Sequence, residues 1–355
     1  MEKQSARLIS VNRHINDYRC YVLLVLMLLL GIFAKNFFTA FNIKSIFDST
    51  VLYAMLGLGF TMCMVAGHMD LSIGAMANMG AMLAMGMHTF SGHGWAVAIT
   101  ATVAMGLIVG IVNGILVSKA KIHSFITTLG MQFVLRGAMY IYSKGAAIGD
   151  NGNFAFADFL NGGIGILPVS PKVALIILVV AAVAFLMKNT SWGRNVCLVG
   201  GNAESAWLAG IKPDRVTISV FALSGAACAF GGAIFAICQS SAVPNMGESG
   251  ISPLLVALAA TIIGGTSTKG GNGSVWNTYV AVCGLMVMSN VLTSIAGRFE
   301  VVILANGLVL AACVVHETIT NYMTAKRTGI RTRLLKELAP QGAAQTREET
   351  GRVPV

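Results

Sequence analysis

Apolar stretches long enough to cross a bilayer, and almost free of charge, recur along nearly the whole chain. They lie at about 20–36, 48–67, 71–90, 95–117, 122–143, 172–187, 216–238, 253–265, 274–297 and 301–323. A hydrocarbon core about 30 Å thick takes roughly 20 residues of helix to cross, and helix is needed because lipid offers backbone N–H and C=O groups no partner. Only 11% of the 355 residues are charged and mean hydropathy is +0.75, whereas a soluble domain carries about 25% charge. The expected fold is an all-α polytopic membrane protein with about ten transmembrane helices. Several windows are short, and flanking Lys and Arg side chains can snorkel to complete them.

The basic residues test this partition. With both termini in the cytoplasm, 18 of the 24 Lys and Arg residues fall on the inside, five fall outside, and Arg136 lies within a span. That asymmetry is what the positive-inside rule requires, and merging or splitting one span would reverse every later side. The formal net charge of +10 is therefore no sign of nucleic acid, because the excess sits in tails and loops. Seven basic residues lie between Lys326 and Arg352 and four precede the first span, as expected of segments facing anionic membrane lipids. This divides the chain into a cytoplasmic tail at 1–19, a transmembrane domain at 20–323 and a basic cytoplasmic tail at 324–355. The domain carries a large external loop at 144–171 and a large internal loop at 188–215.

The internal loop carries signs of order. Asn202 is placed to cap a short helix over Ala203 to Ala209, and Gly210 to stop it, although a plain solvated turn fits the same residues. Within the spans, Gly106, Gly110 and Gly114 share one helix face and let two backbones approach.

Two motifs sit beside spans. In GHMDLSIG, Gly67 to Gly74, Asp70 is flanked by apolar runs. A carboxylate at the bilayer centre costs roughly 3 kcal/mol on insertion scales, so Asp70 or Ser72 is expected at a helix start, accepting from free N–H groups. Capping and a direct part in gating both remain open for them. The segment Ile262 to Ser274, with Gly264, Gly265, Gly270 and Gly271, superficially resembles a phosphate loop. Lys269 precedes the second glycine pair and no Gly-Lys-Ser/Thr order occurs, so nucleotide binding is not expected. The segment reads either as part of a translocation region or as a turn.

Catalytic and metal constellations are missing from the pattern. The seven cysteines form no Cys-x-x-Cys pair or zinc spacing, and no Ser/His nucleophile arrangement occurs. Asn78, Asn113, Gln132, Asn290 and Asn306 are the intramembrane polar groups able to bond a cargo hydroxyl, or equally a neighbouring helix.

Taken in order, the motifs resemble the permease subunits of bacterial ABC sugar importers of the ribose, galactose and arabinose type. The matching segments are GHMDLSIG, Val112-Asn113-Gly114, Ile126 to Gly130 with Arg136-Gly137, GRNVCLVGGNAESAWLAG from Gly193 to Gly210, Ala222 to Gly225, and Gly264 to Gly273. The resemblance covers about 45–320 and implies a multi-pass subunit of the bacterial cytoplasmic membrane that moves a monosaccharide. It implies a cytoplasmic ABC ATPase holding ATP and Mg, a periplasmic or extracellular sugar-binding protein, and a second permease copy, identical or paralogous. It places coupling to the ATPase at Gly193, Arg194, Gly201, Asn202, Glu204, Trp207 and Gly210, and binds no cofactor or metal to this chain. Nucleoside and branched-chain amino acid import stay open within the same class. An ion-coupled secondary transporter would need embedded acids, for which Asp70 alone comes close.

Overall fold

The computed structural model describes residues 19–149, 152, 154–164, 169–244, 252–298, 300–305, 307–309, 311, 312 and 315. The N-terminal tail to residue 18, Asn306 and the basic tail at 324–355 lie outside the described residues. The chain divides into two compact units, Met1–Gly307 and Leu308–Val355, and the elements below belong to the first.

The chain begins with α1 (Arg19–Phe33), α2 (Ala40–Val65), α3 (Ile73–Thr89), α4 (Trp95–Ser118) and α5 (Ser124–Ser143). A short strand β1 (Ile148–Gly149), α6 (Ala155–Asn161) and α7 (Pro171–Asn189) follow. Next come α8 (Ser191–Gly201), α9 (Ala203–Leu208), α10 (Pro213–Gln239), β2 (Ser241–Ala242), α11 (Pro253–Ile263) and α12 (Val275–Ala296). Helical backbone resumes at 300–305. Among the described residues, α2, α4, α7, α10 and α12 are by themselves long and apolar enough to cross a membrane. The other described span windows hold α1, α3, α5 and α11, which are shorter or more polar.

Local chemistry sets most helix ends. Proline occupies the first turn of α7, α10 and α11, where its fixed φ suits the helix and its missing N–H costs nothing. Thr39 caps α2 by accepting from the Asn42 N–H, and Ser274 caps α12 by accepting from the Asn277 N–H, both at 3.3 Å. Arg19 closes a helix from afar: its Nε donates to the Ile263 carbonyl at 2.9 Å, and its guanidinium also donates to Ile262. Those are carbonyls of the last turn of α11, where a cation is favoured.

Helix α10 is the hub, packing on α4, α3 and α2. In its most apolar window 78% of residues are buried, against 22% for α4, so α10 is central and α4 peripheral. The four-residue glycine repeat explains how closely they meet. A methyl group added at Gly106 or Gly225 would overlap the other's carbonyl oxygen, and one at Gly114 would stand 2.6 Å from the Ile218 Cα.

On the side expected to be external, β1 and β2 pair antiparallel, Ile148 opposite Ala242 and Gly149 opposite Ser241. This ties the segment after α5 to the end of α10. Nearby, Asp48 on α2 accepts from Lys44 at 2.9 Å, Lys172 at 3.1 Å and the Ser170 hydroxyl. Lys172 also donates to Asn161 Oδ1 at 2.6 Å and is only 7% exposed. The charge window starting near residue 48 therefore understated α2, whose first two turns are held by this network.

Candidate functional site

Asp70 lies in the link between α2 and α3 and is 1% exposed. Its Oδ1 accepts from the Ser72 N–H at 2.9 Å and the Ser72 hydroxyl at 2.5 Å. Asn113 Nδ2 on α4 donates to Ser72 Oγ at 3.1 Å, and Ser224 Oγ on α10 reaches Asp70 Oδ2 at 3.5 Å. The link is also held to α5, since Ser124 Oγ accepts from the Met69 N–H at 3.2 Å and Thr128 Oγ1 from the Leu71 N–H at 3.0 Å. Ser72 is the N-cap of α3, but Asp70 supplies the side-chain bond there. Asp70, Ser72 and Asn113 are thus one buried cluster that fastens three helices to a single link.

The internal loop contains two helices, where capping arguments predicted one. Thr190 accepts from the Gly193 N–H at 3.3 Å and starts α8. The signal was present in the sequence: Trp192, Val196 and Val199 follow at helical spacing, and Val196 and Val199 are buried. The Asn202 N–H donates to the Leu198 carbonyl at the end of α8, and its Oδ1 accepts from the Ser205 N–H at 2.8 Å to cap α9. Glu204 stands in the first turn of α9, near the positive end of its backbone dipoles. Gly210 ends the turn at φ +83°. Ala206 is buried, whereas Trp207 is 62% and Leu208 74% exposed. Around Trp207 a groove is lined by Lys119, Lys121, Glu204, Lys212 and Arg215. Arg194 is exposed on α8.

Three motifs that are far apart in the chain meet at one point. Gly67 of GHMDLSIG, Gly200 and Gly201 at the end of α8, and Gly270 and Gly271 between α11 and α12 pack backbone on backbone. The Gly271 N–H donates to the Val65 carbonyl at 2.8 Å. A methyl at Gly200 would overlap that same carbonyl oxygen, and one at Gly270 would stand 2.6 Å from the Gly200 carbonyl oxygen. The segment with Gly264 and Gly265 is a turn, Gly264 packing directly on the backbone of Thr278 in α12. The second half of this segment, with Gly270 and Gly271, forms part of the junction.

The remaining polar candidates divide. Asn290 and Asn42 form a reciprocal amide pair, at 2.8 and 3.0 Å, so Asn290 is spent on a neighbouring helix. Asn78 and Gln132 instead line a cavity of about 110 Å³ between α2, α3, α5 and the start of α11. Arg136, noted in the sequence as the basic residue within a span and as part of the Arg136-Gly137 match, lines it with them.

A family model described as a branched-chain amino acid transport system / permease component matches residues 42–315. The ribose import permease of Escherichia coli K12 is 30% identical over 297 residues, covering 82% of this chain and 91% of the relative. The ribose import permease of Bacillus subtilis 168 is 31% identical, with 82% and 89% covered. The autoinducer 2 import system permease of Yersinia pseudotuberculosis serotype O:1b is 32% identical, with 71% and 70% covered. No solved structure matches significantly.

Proposed function

The chain belongs to this family of transport-system permease components, and we propose that it is the membrane-spanning subunit of an ATP-driven importer whose cargo is a sugar. The observation that carries the reading is the alignment, over most of both chains, with permeases named for ribose import. ATP and Mg belong to a cytoplasmic ATPase, a binding protein delivers the cargo from outside, and a second permease copy completes the pathway. The protein sits in the bacterial inner membrane with ten spans and both termini inside. Import of a branched-chain amino acid is a second reading, favoured by the description of the family itself. Uptake into vesicles holding the complete importer separates them: the proposal expects ATP-dependent entry of ribose, and entry of leucine alone would replace it. The purified chain without partners is expected to hydrolyse no ATP.

The topology has its own test. On a background lacking the seven cysteines, Ala203→Cys on α9 and Gly163→Cys after α6 are both exposed positions. A membrane-impermeant maleimide applied to intact cells should label position 163 and spare position 203. The opposite pattern would invert the whole arrangement.

Coupling is proposed to run through α8 and α9. An exposed tryptophan on a helix of six residues is poorly placed in water but well suited to a pocket in a partner, since tryptophan is enriched among residues that dominate interfaces. Trp207→Ala should weaken ATPase association by about 2 kcal/mol, roughly thirtyfold in affinity, with membrane insertion unchanged. Wild-type co-purification of the ATPase would remove α9 from the docking surface.

A further inference from the structure

A groove of about 980 Å³ opens where the start of α1, the end of α7, the helix α8 and the start of α12 come together. Lys188, in the last turn of α7, and Arg194, in the first turn of α8, both line it and are both exposed. Neither forms an ion pair among the described residues, and no aspartate or glutamate among them lines the groove. Arg194 gains nothing from its own helix, since a cation is disfavoured at the positive end of the backbone dipoles. The same polarity makes the start of α12, a helix of 22 residues, favourable to an anion.

The rest of the wall is largely apolar. Ala181, Ala184 and Phe185 line it from α7 and Trp276 from α12, with Phe185 60% and Trp276 41% exposed. The flanking surface is apolar as well, since Val22, Val25, Leu26 and Leu29 of α1 and Leu178 and Leu186 of α7 are exposed. Helices α7 and α12 are long and apolar enough to cross a membrane. Their ends therefore mark its boundary, where tryptophan and snorkelling basic side chains collect. The Tyr21 hydroxyl donates to Asn277 Oδ1 at 3.4 Å, which leaves the Asn277 amide nitrogen as a further donor lining the groove.

We infer that this groove binds an anionic phospholipid, with Lys188 and Arg194 on its phosphate and its acyl chains against the apolar surfaces of α1 and α7. The inference rests on the topology proposed above only for the leaflet, which is the inner one. Basic pockets between spans on that side suit anionic headgroups. A soluble phosphate would meet the same cations and leave the apolar wall without a partner, whereas a lipid serves both. A zwitterionic headgroup brings an ammonium for which the groove has no carboxylate, so a net negative lipid of the phosphatidylglycerol kind is favoured. Bound there, it would bridge the corner between α7 and α8 to the start of α12. Arg194 lines this groove and not the one around Trp207.

Native mass spectrometry of the purified full chain in neutral detergent tests this, with phosphatidylglycerol, phosphatidylcholine and inorganic phosphate as probes. The expected result is one phosphatidylglycerol held about tenfold or more tightly than phosphatidylcholine, with inorganic phosphate failing to displace it. Lys188→Ala combined with Arg194→Ala should lower that affinity about thirtyfold, the effect of two basic residues at an anionic membrane surface. Lys188→Arg combined with Arg194→Lys should keep it, which separates lost charge from a chain that fails to fold. Lys269→Ala, which removes an exposed cation outside the groove, should change nothing. Equal retention of the two lipids, wild-type retention by the double alanine variant, or displacement by inorganic phosphate would overturn the site. A chain that retains no lipid, because its own N-terminal tail or a second copy fills the groove, would overturn it too. The measurement needs neither transport nor orientation. Inverted maleimide labelling at positions 163 and 203 would therefore sink the topology and leave the lipid site standing.

Discussion

Gly200→Ala should destabilise the protein by about 3 kcal/mol, at the upper end of overpacking effects, whereas Gly201→Ala should be neutral or stabilising. The two glycines are neighbours at the end of α8 and belong to the same motif. A methyl group at Gly200 would overlap the Val65 carbonyl oxygen and stand 2.9 Å from both the Ala66 carbonyl carbon and the Gly271 nitrogen. None of these is the tip of a flexible side chain; all three are backbone, so relief requires moving α2 or the turn after α11. At Gly201 the nearest atom is the Gly271 Cα, at 3.9 Å, which is ordinary contact. In a helix, alanine is favoured over glycine by up to about 1 kcal/mol. Thermal unfolding of the two variants in detergent reads the difference directly. Equal stabilities would mean that α8 is not seated against α2 as described. If α8 and α9 carry the motion of the ATPase, Gly200→Ala should also lower uptake per ATP hydrolysed, because the junction is where that motion enters α2.

Asp48→Ala should cost about 3 kcal/mol, the scale for removing one partner of a buried ion pair. The change leaves Lys172, nearly inaccessible to water, and Lys44 with no carboxylate between them. It also takes the acceptor from Ser170, the N-cap of α7. Lys172→Met should be milder, since it deletes the most buried charge and leaves Asp48 paired with Lys44. Melting temperatures of the two variants, compared under one detergent condition, give the order. A larger loss for Lys172→Met than for Asp48→Ala would show that the lysine packs through its stem more than through its charge.

The sequence by itself determined what depends on neighbouring residues. Apolar windows located the described helices they cover to within a few residues at most ends, because the exclusion of charge acts on each segment separately. The cap at Asn202 and the stop at Gly210 were legible for the same reason: a cap bond reaches only three residues along the chain. Helix α8 had an equally local signal in Thr190 and the Trp192, Val196, Val199 spacing, hidden by its glycines. What only the tertiary structure decided involves partners that the chain separates widely. Gly67, Gly200 and Gly270 are alike as sequence, yet their meeting depends on how α2, α8 and the turn after α11 stack. Asn78 and Asn290 are likewise the same residue type within spans. One keeps a buried oxygen without a partner beside Arg136, and the other spends its amide on Asn42. A hydrogen bond satisfied across 248 residues leaves no trace in local periodicity, so only the packed bundle shows which polar groups hold helices together.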